Sequence, residues 1–125
     1  MSLEDQISNH IVVAAIEVHR TLGGPGLLES VYEEALVWQL RDRGLSVERQ
    51  KLIPINYKSV ALANPLCLDV LVDELVIVEC KAVATYSTIF EAQALTYLRL
   101  TGLKLALVIN FGERLVKNGI HRIVN

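Results

Sequence analysis

The sequence lacks the features of a membrane or secreted protein. Among its 125 residues, no apolar run approaches the roughly 18 residues that a membrane-spanning helix needs. Acids and a histidine interrupt the aliphatic residues of the N-terminal segment, which is not the pattern of a signal peptide. Only two cysteines occur, Cys67 and Cys80, and both lie in apolar segments. We expect them to be buried free thiols in a reducing cytoplasm, and the protein to be cytoplasmic with no membrane partner.

A surplus of positive charge is also missing. The chain has 12 basic and 14 acidic residues, which gives a net charge of −2. Proteins that bind nucleic acids tightly and without sequence preference usually carry a basic surplus, so the composition argues against that behaviour. Near the C-terminus, four residues either form a local phosphate-contacting patch or protect an exposed sheet edge from aggregation: Arg114, Lys117, His121 and Arg122.

Apolar residues, in contrast, are abundant. Hydrophobic residues make up 52% of the chain, and the mean hydropathy of +0.38 is high for a protein of this length. Strands buried on both faces would account for part of this excess, and a surface hidden in an oligomer for the rest. We therefore expect a single domain over residues 1–125 and a homodimer, formed through the first helix or an uncovered sheet edge.

Three segments have the apolar spacing of amphipathic helices. Glycines follow each of them, and Thr88 with Glu91 forms a capping-box pattern at the start of the third. The predicted helices are residues 5–22, 27–43 and 88–101.

The remaining apolar segments are expected to be strands. Residues 66–72 and 75–81 are apolar at successive positions, which is typical of central strands covered on both faces. Pro54 places the strand 47–57 at a sheet edge or a bulge, and Asn118-Gly119 predicts a C-terminal hairpin. Further strands are expected before Leu62 and at 105–111. The order αα-βββ(β)-α-β predicts an α/β fold, with helices on both faces of a mixed sheet.

Three charged residues stand out because they lie in aliphatic strands. Burying Asp69, Glu79 or Lys81 without a partner would cost several kcal/mol, so each needs a compensating contact. Glu79 and Lys81 are two positions apart and share a strand face. Two carboxylates beside a lysine suit Mg²⁺, with the lysine ready to act on a nearby water or phosphate.

The loop between the two central strands decides whether the carboxylates meet. With a two-residue loop at Asp73-Glu74, Asp69 would lie opposite Val78, and Glu79 would point to the other face. The site hypothesis therefore predicts an odd number of loop residues or a bulge. The alternative is structural: Glu79 and Lys81 form an ordinary ion pair, and Asp69 caps a turn.

Two of these segments resemble one group of nucleases. Asp69 followed by Glu79-Cys80-Lys81 matches the D…(D/E)xK motif of PD-(D/E)xK nucleases. The segment from Gly26 to Tyr32 matches the motif that names the GxxExxY family, a small group within that superfamily. The chain is thus similar to GxxExxY proteins, and the resemblance implies a restriction-endonuclease-like fold.

Two further motifs follow in the same order. Gln93 and Tyr97 match the QxxxY motif of the lambda-exonuclease-like branch, and Asn110-Phe111-Gly112 is also similar to the GxxExxY pattern. Gln93 and Tyr97 are one helical turn apart and can face the sheet together. Core packing is an equally good explanation for Tyr97.

The resemblance implies a role for each candidate site residue. Asp69 and Glu79 would bind Mg²⁺ or Mn²⁺, with Glu29 as a further acidic ligand from its helix. Lys81 would orient or activate the attacking water. Gln93 would position Lys81 or the scissile phosphate, with Tyr97 beside it. Without the resemblance, Glu29 would be an acid favoured by the helix dipole.

The implied function is metal-dependent hydrolysis of phosphodiester bonds, in DNA before RNA. Two alternatives remain: a catalytically silent binding or assembly module with the nuclease fold, and a hydrolase of another phosphate compound. The three histidines have no metal-ligand spacing and are expected to be surface or structural residues: His10, His19 and His121.

Overall fold

The computed structural model describes all residues from Met1 to Asn125. Its helices are α1 (Leu3–Thr21), α2 (Glu29–Asp42) and α3 (Ile89–Thr101), and a short 3-10 helix spans Val116–Gly119. Its strands are β1 (Val47–Ile53), β2 (Asn56–Tyr57), β3 (Val60–Ala61), β4 (Leu66–Val72), β5 (Val76–Lys81), β6 (Leu105–Asn110) and β7 (Ile120–Val124). None of the helices is both long and apolar enough to span a membrane.

Five of the strands form one mixed sheet in the order β1-β4-β5-β6-β7. Only β5 and β6 run parallel, because α3 connects them as a crossover; the other neighbours are antiparallel. Strands β2 and β3 form a separate two-stranded sheet. The predicted α/β architecture is confirmed.

Helices cover both faces of this sheet. One hydrophobic cluster joins α1 and α2 to the sheet, and a second joins α3 to the opposite face. Strand β5 serves both clusters: Val76 and Val78 face α1 and α2, while Ile77 faces α3. This two-sided burial explains why β4 and β5 are apolar at successive positions.

The side chains of β1 and β4 exchange faces in the middle of the sheet. Leu68 packs in the α3 cluster, whereas Val70 packs in the α1–α2 cluster, although residues two apart on a regular strand share a face. In β1, Val47 and Ile53 also lie on opposite sides. The exchange occurs at Gln50, which adopts the left-handed conformation with φ of 53°.

The prediction of one continuous strand over residues 47–57 was wrong. The predicted strand 47–57 is divided at Pro54: β1 ends at Ile53, and residues 56–57 belong to the small second sheet. Proline has no N–H for the ladder, and it favours a strand end. Lys58 and Ser59 form the tight turn between β2 and β3, with φ of 48° and 71°.

The C-terminal hairpin was also wrongly predicted. Asn118 and Gly119 end the 3-10 helix, and β7 pairs with β6 instead of with residues 115–117. Val116 is buried in the α1–α2 cluster, so tertiary packing overrides the local turn preference of Asn-Gly. In the suggested basic patch, Arg122 is bonded to Asp5 of α1.

The glycine signals mark the helix ends better than the predicted capping box marks the start of α3. Gly102 ends α3 in the left-handed conformation with φ of 77°, as expected of a C-terminal glycine. The capping box is absent, because Thr88 makes no side-chain hydrogen bond at the start of α3. Both cysteines are free; Cys80 is buried as predicted, and Cys67 is only half-buried.

Candidate active site

The loop between β4 and β5 brings Asp69 and Glu79 together. It has three residues, 73–75, and both Asp73 and Glu74 adopt left-handed conformations. The register pairs Val70 with Val78, so continuing it by one position sets Asp69 opposite Glu79. The odd loop length that the site hypothesis required is therefore present.

Hydrogen bonds fix both carboxylates at the point where the β4–β5 ladder stops. The Asp69 N–H donates to Glu79 Oε2 over 2.9 Å, and the Cys80 N–H donates to Asp69 Oδ2 over 2.9 Å. Each carboxylate thus accepts a bond that a strand carbonyl would accept in a regular ladder. The two acids are held between the strands and have little freedom to turn outward.

Burial and mutual repulsion make the ionised pair unfavourable without a counter-charge. Glu79 is only 7% exposed. Desolvation, followed by repulsion from Asp69, raises the pKa of Glu79 to about 8. Desolvation also raises the pKa of Asp69, against the stabilising bond from the Cys80 N–H. A bound cation would relieve both effects.

Lys81 lies beside the acids without pairing to them. Its Nζ is 4.6 Å from the centroid of the Phe90 ring, a cation–π contact with the start of α3. Its charge lowers the pKa of both Asp69 and Glu79. None of the four ion pairs of the structure includes Lys81, so the ordinary Glu79–Lys81 pair of the structural alternative is absent.

Glu29 approaches the pair from the first residue of α2. It is exposed, yet partial desolvation raises its pKa. Lys81 lowers this pKa and Asp69 raises it, so both charges are close enough to act on Glu29. Glu29 therefore lies within electrostatic reach of Asp69 and Lys81.

The two candidate residues of α3, Gln93 and Tyr97, differ in their burial and in their relation to the carboxylate pair. Tyr97 is half-buried, and desolvation together with Glu79 and Asp69 raises its pKa. Gln93 is exposed and has no hydrogen bond to the site, although it lies on the helix face between Phe90 and Tyr97. Tyr97 is therefore within electrostatic reach of the acids, and Gln93 is exposed to solvent.

The Gly26–Tyr32 and Asn110–Gly112 motifs act as structural supports. The buried Tyr32 hydroxyl donates to the Gly24 carbonyl over 2.7 Å and accepts from the Leu27 N–H over 3.1 Å, which fixes the turn before Glu29. The Asn110 amide bonds both backbone groups of Val83 at 3.0 Å. A Cβ on Gly112 would lie 2.2 Å from the Val83 carbonyl oxygen, so the segment after Lys81 requires glycine there.

A fourth acidic group at the site, Glu33, was not predicted from the sequence. Glu33 is 4% exposed, and its carboxylate, an Asp69 oxygen and the Cys80 Sγ all lie within 4.8 Å of one another. The only sequence signal was its position four residues after Glu29, on the same face of α2. Its partners, Arg49 and Gln50, come from β1 and gave no local signal.

The donor set fits a hard divalent cation. Asp69, Glu79 and Glu29 offer carboxylate oxygens, the ligands that Mg²⁺ and Mn²⁺ prefer. Cys80 is also near, but burial raises the pKa of its thiol well above its ordinary value, and it stays protonated. His19, which would favour zinc, is buried elsewhere with its Nε2 3.1 Å from the Phe111 carbonyl oxygen.

Comparison with known protein families identifies the class to which the chain belongs. Residues 5–123 match the family model described as the PD-(D/E)XK nuclease superfamily. The chain belongs to this superfamily, whose members are typically divalent-metal-dependent nucleases acting on nucleic acid. No curated protein and no solved structure matches the chain.

Proposed function

We propose that this protein is a Mg²⁺- or Mn²⁺-dependent nuclease that hydrolyses phosphodiester bonds, in DNA rather than RNA. The observation that carries the proposal is the facing pair of Asp69 and Glu79. Both are held by backbone N–H groups, and both have raised pKa values, with the unpaired Lys81 beside them. Buried acids in this state favour a cation that offsets their charge.

Each residue has a distinct role in this proposal. Asp69 and Glu79 would hold the cation, and Glu29 would complete the set from the rim. When bound, the cation supplies a Lewis acid for a phosphoryl oxygen. Lys81, which no carboxylate neutralises, would orient the attacking water and stabilise charge on the phosphate. Gln93 and Tyr97 would contact the scissile phosphate or position Lys81 from α3.

The shape of the surface supports a polymeric substrate. The four surface cavities are lined by other residues, and none includes Asp69, Glu79 or Lys81. Small-molecule sites are usually enclosed pockets that bury most of the ligand. None of these cavities therefore encloses a small ligand at the acids, which favours a larger substrate such as a nucleic-acid strand over a small phosphate compound.

The second candidate function is a catalytically silent binding or assembly module. The backbone bonds of Asp69 and Glu79 favour it, because they give both acids a structural role where the ladder stops. The net charge of −2 is a second observation in its favour. In this case the acids would close the sheet and bind no cation.

Calorimetric titration with Mn²⁺ and a cleavage assay separate the two functions. We expect the parent protein to bind Mn²⁺ and to cleave single- or double-stranded DNA only when the ion is present. Asp69→Asn and Glu79→Ala should each abolish both properties while the circular dichroism spectrum stays that of a folded protein. Glu74→Ala, in the loop between the same strands, is the matched control and should behave like the parent. A parent that binds no Mn²⁺ and cleaves neither DNA nor RNA would favour the silent module.

The outer surface of α1 and α2 supports the proposed homodimer. Four large apolar side chains are exposed there: Val13, Ile16, Leu22 and Trp38. The free sheet edges suit pairing less, because β1 carries charged residues and the irregular Gln50. A two-fold contact through the helices would hide the apolar surface that the composition left unexplained.

A further inference from the structure

Two consecutive residues of β1, Arg49 and Gln50, hydrogen-bond to the same buried carboxylate, that of Glu33. Arg49 Nε lies 2.7 Å from Glu33 Oε2, and Gln50 Nε2 donates to both Glu33 oxygens over 3.0 Å. Consecutive side chains of a regular strand point to opposite faces, so both cannot reach the same group. The double contact therefore requires a local departure from strand geometry.

The backbone of Gln50 provides that departure. Its φ of 53° lies in the left-handed region, which residues other than glycine seldom adopt. Pairing between β1 and β4 is interrupted here, between Arg49↔Val70 and Lys51↔Leu68, and Gln50 lies opposite Asp69. Strained backbone of this kind persists only where surrounding contacts hold it, and it is concentrated at functional sites.

The Glu33 carboxylate lies next to the proposed metal ligand Asp69. A Glu33 oxygen lies within 4.8 Å of an Asp69 oxygen, and the charge of Glu33 acts on both Asp69 and Glu79. Glu33 is buried, so water cannot weaken this repulsion. The contacts with Arg49 and Gln50 offset its charge and fix the position of its carboxylate beside Asp69.

We propose that Gln50 is a positioning residue of the active site, which holds Glu33 against Arg49 so that Asp69 stays free to bind the cation. The inference rests on the proposed metal-dependent function. Gln50 also accepts a bond from the Cys67 thiol at 3.2 Å, which orients its amide so that the nitrogen faces Glu33. Residues that support metal ligands in this way typically contribute about 10–100-fold to metal affinity.

The Gln50→Gly variant removes the side chain of Gln50 and still allows the left-handed backbone conformation at this position. Glycine adopts positive φ without strain, which offsets part of the cost of losing the Glu33 contacts, so the fold should be kept, while Mn²⁺ affinity measured by calorimetry falls about 10–100-fold. Lys58→Gly is the matched control: Lys58 also has a left-handed φ, of 48°, but it lies in the β2–β3 turn. This control should be at least as stable as the parent and bind Mn²⁺ like it.

A second background tests whether Gln50 acts through Glu33. In Glu33→Gln protein the repelling charge is gone, so adding Gln50→Gly should change Mn²⁺ affinity by less than about twofold. Parent-like or tighter Mn²⁺ binding by the single Gln50→Gly variant would overturn the inference while leaving the metal site intact. Equal losses in both backgrounds would also overturn it.

A metal-free crystal structure of the Gln50→Gly variant tests the role of Gln50 independently of metal binding. If the parent binds no Mn²⁺, the proposed function fails, and the structure alone decides the role of Gln50. Movement of Glu33 away from Arg49 and loss of the bond between the Cys80 N–H and Asp69 would support positioning. Unchanged Glu33 and Asp69 side chains would contradict it.

Discussion

The backbone N–H of Asp69 donates a hydrogen bond to the Glu79 carboxylate at 2.9 Å, exactly one register step beyond the last paired residues of β4 and β5. The same two side chains that form the candidate metal site therefore also join the two central strands. Changes at either position will therefore combine structural and functional effects.

Glu79 should make metal-free stability depend on pH. Its folded-state pKa of about 8 lies above the ordinary value of 4.5, so the folded protein holds this proton more tightly than the unfolded chain does. The resulting stability is fully present below about pH 4.5 and is lost as pH rises through about 8, at up to about 1.4 kcal/mol per pH unit. Glu79→Gln should flatten the melting-temperature curve measured in EDTA over this range. Glu34→Gln, an exposed acid of α2, should follow the parent; parallel curves for parent and Glu79→Gln would contradict the assignment.

Lys81→Met should separate catalysis from folding. The methionine keeps most of the stem that packs near Phe90, and no ion pair is broken, so the melting temperature should change little. Metal-dependent cleavage should fall by about 10²–10⁴-fold, because the charge that acts on the attacking water is gone. Lys104→Met, at an exposed position after α3, serves as the control. A lower melting temperature, with no cleavage by either parent or variant, would instead indicate a scaffold.

Tyr32→Phe should destabilise the turn that presents Glu29. The change leaves the Gly24 carbonyl and the Leu27 N–H without their shared partner, at a cost of about 1–3 kcal/mol. Thermal or urea unfolding measures this loss directly. Tyr57→Phe, on the exposed β2 strand, should have no effect, and an equally stable Tyr32→Phe variant would show that the hydroxyl is dispensable.

Sedimentation should reveal a dimer at tens of micromolar, and Trp38→Lys should convert it to a monomer. Trp38 is 64% exposed at the centre of the apolar α1–α2 surface, where a charge would have to be buried in a two-fold contact. Leu100→Lys changes an equally apolar exposed residue on α3 and should leave the dimer intact. A monomeric parent would reject the homodimer.

Much of this fold follows from local sequence patterns. Alternation and continuity of apolar residues predicted β4 within its observed bounds, and glycines marked where α2 and α3 end. The charged residues Asp69, Glu79 and Lys81 were conspicuous because their neighbours are aliphatic. Such signals depend on residues near each other in the chain, so they can be recognised without knowing the fold.

What only the tertiary structure decided were contacts between distant segments. Val116 packs into the core and turns a predicted hairpin into a 3-10 helix, because burial outweighs the preference of Asn-Gly. Glu33 of α2 lies beside Asp69 of β4 and is contacted by Arg49 and Gln50 of β1, an arrangement that no local sequence pattern indicates. The sequence by itself indicated the charged candidates Asp69, Glu79 and Lys81, because their neighbours are aliphatic. The three-residue loop and the register between β4 and β5 determined that the two carboxylates meet, because these features depend on how the strands pair.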